Sequence, residues 1–115
     1  MMIYNPGDIV EVPFPFIDSS ERKVRPALVL SEPEFVRSTG ACVLMMITSA
    51  TRSRWESDVV INDWASAGLH KPSILRWKLF TLENSMILAR RGTLCKDDFN
   101  SLKHSFKSVL GSFCS

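Results

Sequence analysis

Cysteine and histidine are scarce in this chain, and their scarcity removes whole classes of chemistry before any motif is read. There are three cysteines, Cys42, Cys95 and Cys114, and two histidines, His70 and His104. The cysteines are odd in number and widely spaced, no Cys-x-x-Cys occurs, and the histidines lie far apart. Metal-ligand spacing is therefore missing, no cofactor is expected, and the thiols read as those of a reducing compartment. No apolar run approaches the ~20 residues of a membrane span. The opening MMIYNPGD has neither the basic region nor the apolar region of a secretion signal, which points to the cytoplasm. Linkers, repeats and low-complexity tracts are also lacking. A dominant charge of one sign is missing as well. The net charge of +2 permits a polyanionic partner without demanding one.

What is present is an ordinary globular composition. The chain has 115 residues, 45% of them hydrophobic and 23% charged, and is expected to form a single domain over 1–115. Short apolar stretches separated by turn residues predict strands near 8–13, 25–31, 41–48, 57–61, 73–78 and 86–90. Pro13 and Pro15 restrict the first to an edge or a bend, because neither has a backbone donor. Residues 62–68, Asn-Asp-Trp-Ala-Ser-Ala-Gly, read as a turn-rich connection. The pattern suggests a small antiparallel barrel or sandwich. The clearest helix spans 96–110. Phe99, Leu102, Phe106, Val109 and Leu110 recur at steps of three and four and form one apolar stripe, read as core. Asp97 and Asp98 suit its first turn and Lys107 its last. Gly111 is a plausible stop. Cys95 stands where a capping hydroxyl is expected, which weakens the helix start.

The most informative segment is residues 7–31, GDIVEVPFPFIDSSERKVRPALVLS. An alternating strand runs into a polar loop. The loop returns through Val24-Arg25-Pro26 into an unbroken apolar run of the kind that suits a buried strand. Arg25 thus stands at the mouth of the core, where a fixed guanidinium can grip a phosphate with two prongs. Three further blocks follow in order: CVLMMITS at 42–49, SILRWK at 73–78, and RGTL at 91–94 before the helix. Together the four blocks resemble the PemK/MazF family of toxin endoribonucleases from type II toxin-antitoxin systems. The resemblance implies a mainly β, SH3-like antiparallel barrel of the PemK/CcdB type with a C-terminal helix. It also implies a homodimer, single-stranded RNA as substrate, and a cognate acidic antitoxin as partner.

RNA can be cut without a metal because its own 2′-hydroxyl is a nucleophile. Such a cut needs a base, an acid, and donors to stabilise the pentavalent phosphate. It leaves a cyclic 2′,3′-phosphate and a 5′-hydroxyl. By the resemblance, Arg25 matches the catalytic arginine of the Arg-Pro motif and Thr48 the strand-ending threonine. Arginine is a poor proton acceptor, so Arg25 is expected to act electrostatically or as an acid. The other expectation for Arg25 is a salt bridge to Glu21 or Asp18 that closes the loop. Ser49 is a second hydroxyl beside Thr48. Arg76 matches a strand arginine that acts in some relatives; there an acid two positions later serves as base, and this chain has Lys78 instead. Glu21, Asp58 and His70 stay open as bases.

The expected RNA-binding set is Arg76, Lys78, Trp77, Ser49 and Glu21. Arg52, Arg54, Lys71, Arg90 and Arg91 would join Arg76 and Lys78 in a basic footprint if the strands bring them to one face. Glu56, Asp58, Asp63 and Glu83 are interleaved with them and would instead make a mixed rim. Trp55, Trp64 and Trp77 are candidates to stack on splayed bases; Trp64 reads rather as packed beside its turn. A second reading keeps the barrel but not the catalysis: an inactive binding module, or a CcdB-like toxin aimed at a protein such as gyrase.

Overall fold

The computed structural model describes residues 2–13, 23–51 and 54–114. Its elements in chain order are β1 (Asp8–Pro13), β2 (Val24–Val29), α1 (Pro33–Thr39), β3 (Ala41–Ser49), β4 (Val59–Ile61), β5 (Ser73–Glu83), β6 (Ala89–Thr93) and α2 (Lys96–Leu110). The strands form one antiparallel sheet in the order β4-β5-β3-β2-β1-β6. The sheet is curled, and α2 lies at its C-terminal end of the chain, as the strand spacing and the helical stripe predict.

Apolar residues fill both faces of the sheet, for different partners. One cluster gathers Ile9, Leu28, Met45, Ile47, Val59, Leu75 and Leu94 beneath Leu102 of α2, with Phe99, Phe106, Trp64 and Trp77 packed against it. The other gathers Val10, Val12, Ala27, Val29, Leu44 and Leu82 beneath Tyr4 and Val36 of α1. Side chains alternate across a strand, so Leu28 and Val29 serve opposite clusters.

The edge strands β4 and β6 are linked by the 62–69 connection rather than by a ladder among the described residues. Gly68 adopts φ +84°, which favours glycine. A Cβ there would fall on the carbonyl of Arg91, and a Cβ on Gly92 would fall on the carbonyl of Ala67. Two glycines thus let the connection lie directly on the backbone of β6. The buried carboxylate of Asp98, 1% exposed, fixes the other end of this connection. It accepts the backbone N–H of Asn62 at 3.1 Å and of Asp63 at 2.9 Å.

The helix α2 has the expected span, and its start is capped after all: the Cys95 thiol accepts the N–H of Asp98 at 3.4 Å. Its stripe leaves the core before its end. Val109 and Leu110 are 40% and 37% exposed, whereas Leu102 is buried. Only the first strand keeps its expected bounds: the second is 24–29 rather than 25–31, the third ends at Ser49 and the fourth starts at Val59. The fifth strand continues to Glu83, residues 84–86 form a 3-10 turn, and the sixth strand lies at 89–93 rather than 86–90. The short helix α1 is not legible in the sequence, because only Val36 of its seven residues is buried and no apolar period develops. No helix among the described residues is long and apolar enough to cross a membrane.

Candidate nucleic-acid interface

Strand register brings the sequence-selected residues together in two adjacent rows. In β3 and β5, Thr48 pairs with Ile74 and Met46 with Arg76. In β2 and β3, Ala27 pairs with Met46. Carrying that register two residues further sets Arg25 opposite Thr48. Across β4, Ile74 pairs with Val60, and one step on Arg76 stands opposite Asp58. The first row is therefore Arg25–Thr48–Ile74–Val60, and the second is Ala27–Met46–Arg76–Asp58. Both rows lie on the sheet face that carries the second apolar cluster. On this face Ala27, Ile74 and Arg76 are buried, whereas Arg25, Met46 and Thr48 are partly exposed and Val60 is exposed.

The Arg-Pro dipeptide shapes this end locally. Pro26 pairs with Glu11 of β1 but lacks an N–H, and the β2–β3 ladder begins only at Ala27. Arg25 and Thr48, the two positions aligned beyond that ladder, are both half-buried.

In the second row a tight ion pair forms. Arg76 Nε donates to Asp58 Oδ1 at 3.1 Å, and its terminal nitrogen donates to Oδ2 at 2.9 Å. The two side chains are 10% and 4% exposed, so solvent screens the pair little. Burial pushes the Asp58 carboxyl up. The Arg76 hydrogen bonds, the Trp55 N–H, and the charges of Arg76 and Arg54 outweigh burial and hold it below the ordinary carboxylate range. The same hydrogen bonds raise Arg76 against the opposing effect of burial. Asp58 is thus a weak proton acceptor, although it was one of three candidate bases. Of the other two, His70 is an exposed turn residue and Glu21 lies outside the described residues.

Trp55 completes the cluster. Its N–H donates to Asp58 Oδ2 at 2.8 Å, and its carbonyl accepts the Asp58 N–H at 3.0 Å. The guanidinium of Arg76 lies 5.1 Å from its ring centroid and the ammonium of Lys78 lies 5.6 Å from it. Both are cation–π distances.

Not all the expected RNA-binding residues join this face. Trp77 points the other way: its indole N–H donates to Ser105 of α2 at 2.6 Å, and its ring meets Phe106 edge-on at 4.7 Å. Strand alternation explains the divergence: Trp77 follows Arg76 and shares the face of Leu75. Met45 pairs with Leu79 but Met46 with Arg76, so Trp77 and Lys78 are extra residues in β5. Two extra residues keep the alternation, so the indole faces α2 and Lys78 stays on the Arg76 side beside Trp55. Ser49, one residue past Thr48, falls on the opposite alternation and bonds the hydroxyl of Thr51 at 2.9 Å. Arg90 and Arg91 are engaged with Asp8 and Glu11 at 3.4 Å and 3.2 Å, which places them in a mixed-charge rim rather than a uniform basic patch. Arg52 lies outside the described residues. Among the described residues no group of three or more His, Cys, Asp or Glu is placed to hold a metal ion.

Sequence reasoning missed the partnership of Asp58 with Arg76. Its signal was the strand register, which is available only once the pairing of β4 with β5 is known.

Comparison with known proteins bears on the family and the fold. A family model described as PemK-like, MazF-like toxin of type II toxin-antitoxin system matches residues 5–110. Among solved structures, MazF from Deinococcus radiodurans superposes with a TM-score of 0.71 at 19% identity, covering 96% of this chain and 99% of that one. A MazE–MazF complex from the same organism gives 0.73 at 21% identity, with coverages of 96% and 98%. An endoribonuclease in complex with its cognate antitoxin, from a mycobacterial species, gives 0.72 at 16% identity, with coverages of 95% and 96%. At these identities the likeness is one of fold. The comparison with curated protein sequences finds no match.

Proposed function

This chain belongs to the PemK-like, MazF-like toxins of type II toxin-antitoxin systems, and from that premise we propose that it is a sequence-selective endoribonuclease that cuts single-stranded RNA. The observation that supports this reading best is the β2–β3 register, which carried two residues past Ala27 aligns Arg25 with Thr48, both partly exposed. A guanidinium and a hydroxyl across one seam are suited to bind the two non-bridging oxygens of a single phosphate. The substrate's 2′-oxygen bonds to that phosphorus as its proton passes to solvent, the P–O5′ bond breaks, and the 5′-oxygen takes up a proton, leaving a 2′,3′-cyclic phosphate and a 5′-hydroxyl. Arg25 stabilises the pentavalent transition state, where charge accumulates. Thr48 donates to the same phosphate as a neutral partner. This route needs no metal, because the nucleophile is already on the substrate.

Arg76 acts in this scheme mainly as a scaffold. Its charge is matched by Asp58 at bidentate distance, so its pull on a phosphate is weaker than that of an uncompensated cation. Lys78 is exposed on the same side and supplies the neighbouring positive charge.

The partners follow from the same surface. Solved relatives include an endoribonuclease with its cognate antitoxin and a MazE–MazF complex. For this chain we propose an acidic, partly disordered antitoxin that lies across the Arg25–Lys78 face, with carboxylates where RNA would place phosphates. We propose a homodimer, which would cover exposed apolar residues and sheet edges, a single domain over the whole chain, and a cytoplasmic setting. Sedimentation at micromolar concentration should show a dimer, and a monomer alone would refute that assembly.

The deciding experiment incubates the purified protein with a long single-stranded RNA in EDTA. Cutting should persist in chelator, leave cyclic phosphate ends, and stop when the nucleotide at the cut carries 2′-deoxyribose. Cleavage of the deoxy substrate, or loss of activity in EDTA, refutes the mechanism. The presence of Lys78 where some relatives have an acid, with Asp58 held as a weak base, favours one second reading. On that reading the chain is a non-catalytic or protein-targeting toxin of the same barrel, and the RNA stays intact at every protein concentration.

A further inference from the structure

Three tryptophans were available to this fold, and two of them are core. Trp64 and Trp77 both pack against the first apolar cluster. Trp55 belongs to neither cluster and is 42% exposed, a large aromatic left at the surface beside the two rows that hold Arg25, Thr48 and Arg76. It is not loosely held. Its N–H and its carbonyl are both tied to Asp58, and Asp58 is in turn clamped to Arg76. Building a turn this firmly around an exposed indole costs conformational entropy and leaves apolar surface in water. The Arg76 guanidinium and the Lys78 ammonium cover part of the ring, and 42% of the residue stays open and offsets none of that cost. A flat ligand would.

We propose that Trp55 is the base-stacking platform of the RNA site, and that the Asp58–Arg76 pair is the device that positions it. The inference rests on the ribonuclease reading and extends it to the choice of nucleotide. An unpaired base offers a π-face to the indole, as single-strand binding sites use it. The exposed ammonium of Lys78, 5.6 Å from the ring centroid, is placed for the phosphate of the same nucleotide. Arg76 is two residues along β5 from Ile74, the partner of Thr48. That step is about 7 Å along the strand, so the stacked base belongs to a nucleotide flanking the one held between Arg25 and Thr48. Asp58 and Arg76 touch neither base nor reacting atoms in this scheme. They are positioning residues: the carboxylate fixes the turn, and the guanidinium fixes the carboxylate.

The test uses a fluorescein-labelled single-stranded RNA that spans a mapped cut site and carries a 2′-deoxy nucleotide at the cut. Binding is read by anisotropy, and KM and kcat are read on the all-ribose version. Trp55→Ala should weaken binding about tenfold or more and raise KM by a similar factor, with a smaller change in kcat. Trp55→Phe should recover most of the binding, because it keeps a π-face. Trp55→Leu should not, although it keeps apolar bulk and guards against reading a folding defect as lost stacking. Asp58→Asn should shift KM in the same direction as Trp55→Ala, and in the Trp55→Ala background it should add little. Binding of Trp55→Ala or Trp55→Leu within twofold of wild type overturns the proposal, as does Trp55→Phe binding no better than Trp55→Ala. A wild-type protein that neither cuts nor binds RNA fails the ribonuclease reading and this one with it. Arg25-dependent cutting with indifferent Trp55 variants fails this one alone.

Discussion

Asp58→Asn is the most revealing single perturbation for the fold, because one atom changes and a buried charge loses its partner. The wild-type carboxylate accepts three hydrogen bonds, from Arg76 Nε at 3.1 Å, from its terminal nitrogen at 2.9 Å and from Trp55 N–H at 2.8 Å. An asparagine has one oxygen to offer and turns an amide donor toward the guanidinium. Removing one partner of a buried pair typically costs ~3–5 kcal/mol, since the other charge is left desolvated. An unfolding entropy of roughly 2.1 cal/mol/K per residue gives about 0.24 kcal/mol/K for a chain of 115 residues. The melting temperature should therefore fall by about 12–20 °C. Circular dichroism melts of wild type, Asp58→Leu, Arg76→Met and the Asp58→Leu/Arg76→Met double variant close the cycle, with Asp58→Asn measured beside them. The double variant should regain much of the loss, because an apolar pair of similar volume carries no stranded charge. The pH dependence has a definite sign. The folded carboxyl is held below its ordinary value, so its stabilisation is complete above the unfolded pKa of about 3.9 and is lost as pH falls through the lower folded value. The gap between wild type and Asp58→Asn should be widest near neutrality and close in acid. A fall of less than about 3 °C at neutral pH, or strictly additive single losses, would refute the account of the pair.

Four other outcomes are expected. Arg25→Ala should reduce RNA cleavage ~100- to 1000-fold in a folded protein, and Thr48→Ala by less, because a neutral hydroxyl stabilises developing charge more weakly; full activity of folded Arg25→Ala would refute the site. Gly68→Ala should destabilise by more than ~1 kcal/mol in a chemical denaturation series, because its φ is +84° and the new methyl meets the Arg91 carbonyl; Gly111→Ala, with open space around it, should not. Asp98→Ala should cost ~1–3 kcal/mol by removing the acceptor of two backbone donors, with hydrogen exchange accelerating first at Asn62 and Asp63. The neighbouring gene's acidic product should compete with uncleavable RNA and bind more weakly as salt rises; independent binding of both to one dimer would show that they do not share the face.

Helix α2 was legible from sequence alone because its five apolar residues recur with helical period over fifteen positions, a local property that needs no partner. The early strands were legible for a similar reason: β1 and β3 are apolar runs bounded by turn residues. The pairing of Arg25 with Thr48 could be expected only through resemblance, since 23 positions separate them and only the β2–β3 register brings them together. Other features belong to the tertiary structure outright. Whether Trp77 meets RNA or α2 depends on which element packs on its face of the sheet, and that is fixed only when α2 docks across β5. The compensation of Arg76 by Asp58 depends on an antiparallel pairing across the connection from β4 to β5. Composition and periodicity determine which segments become strand or helix, because those preferences are local. Which side chains share a face, and which charges are already matched, was settled only when the sheet closed its register, because a shift of one residue sends every side chain to the other side.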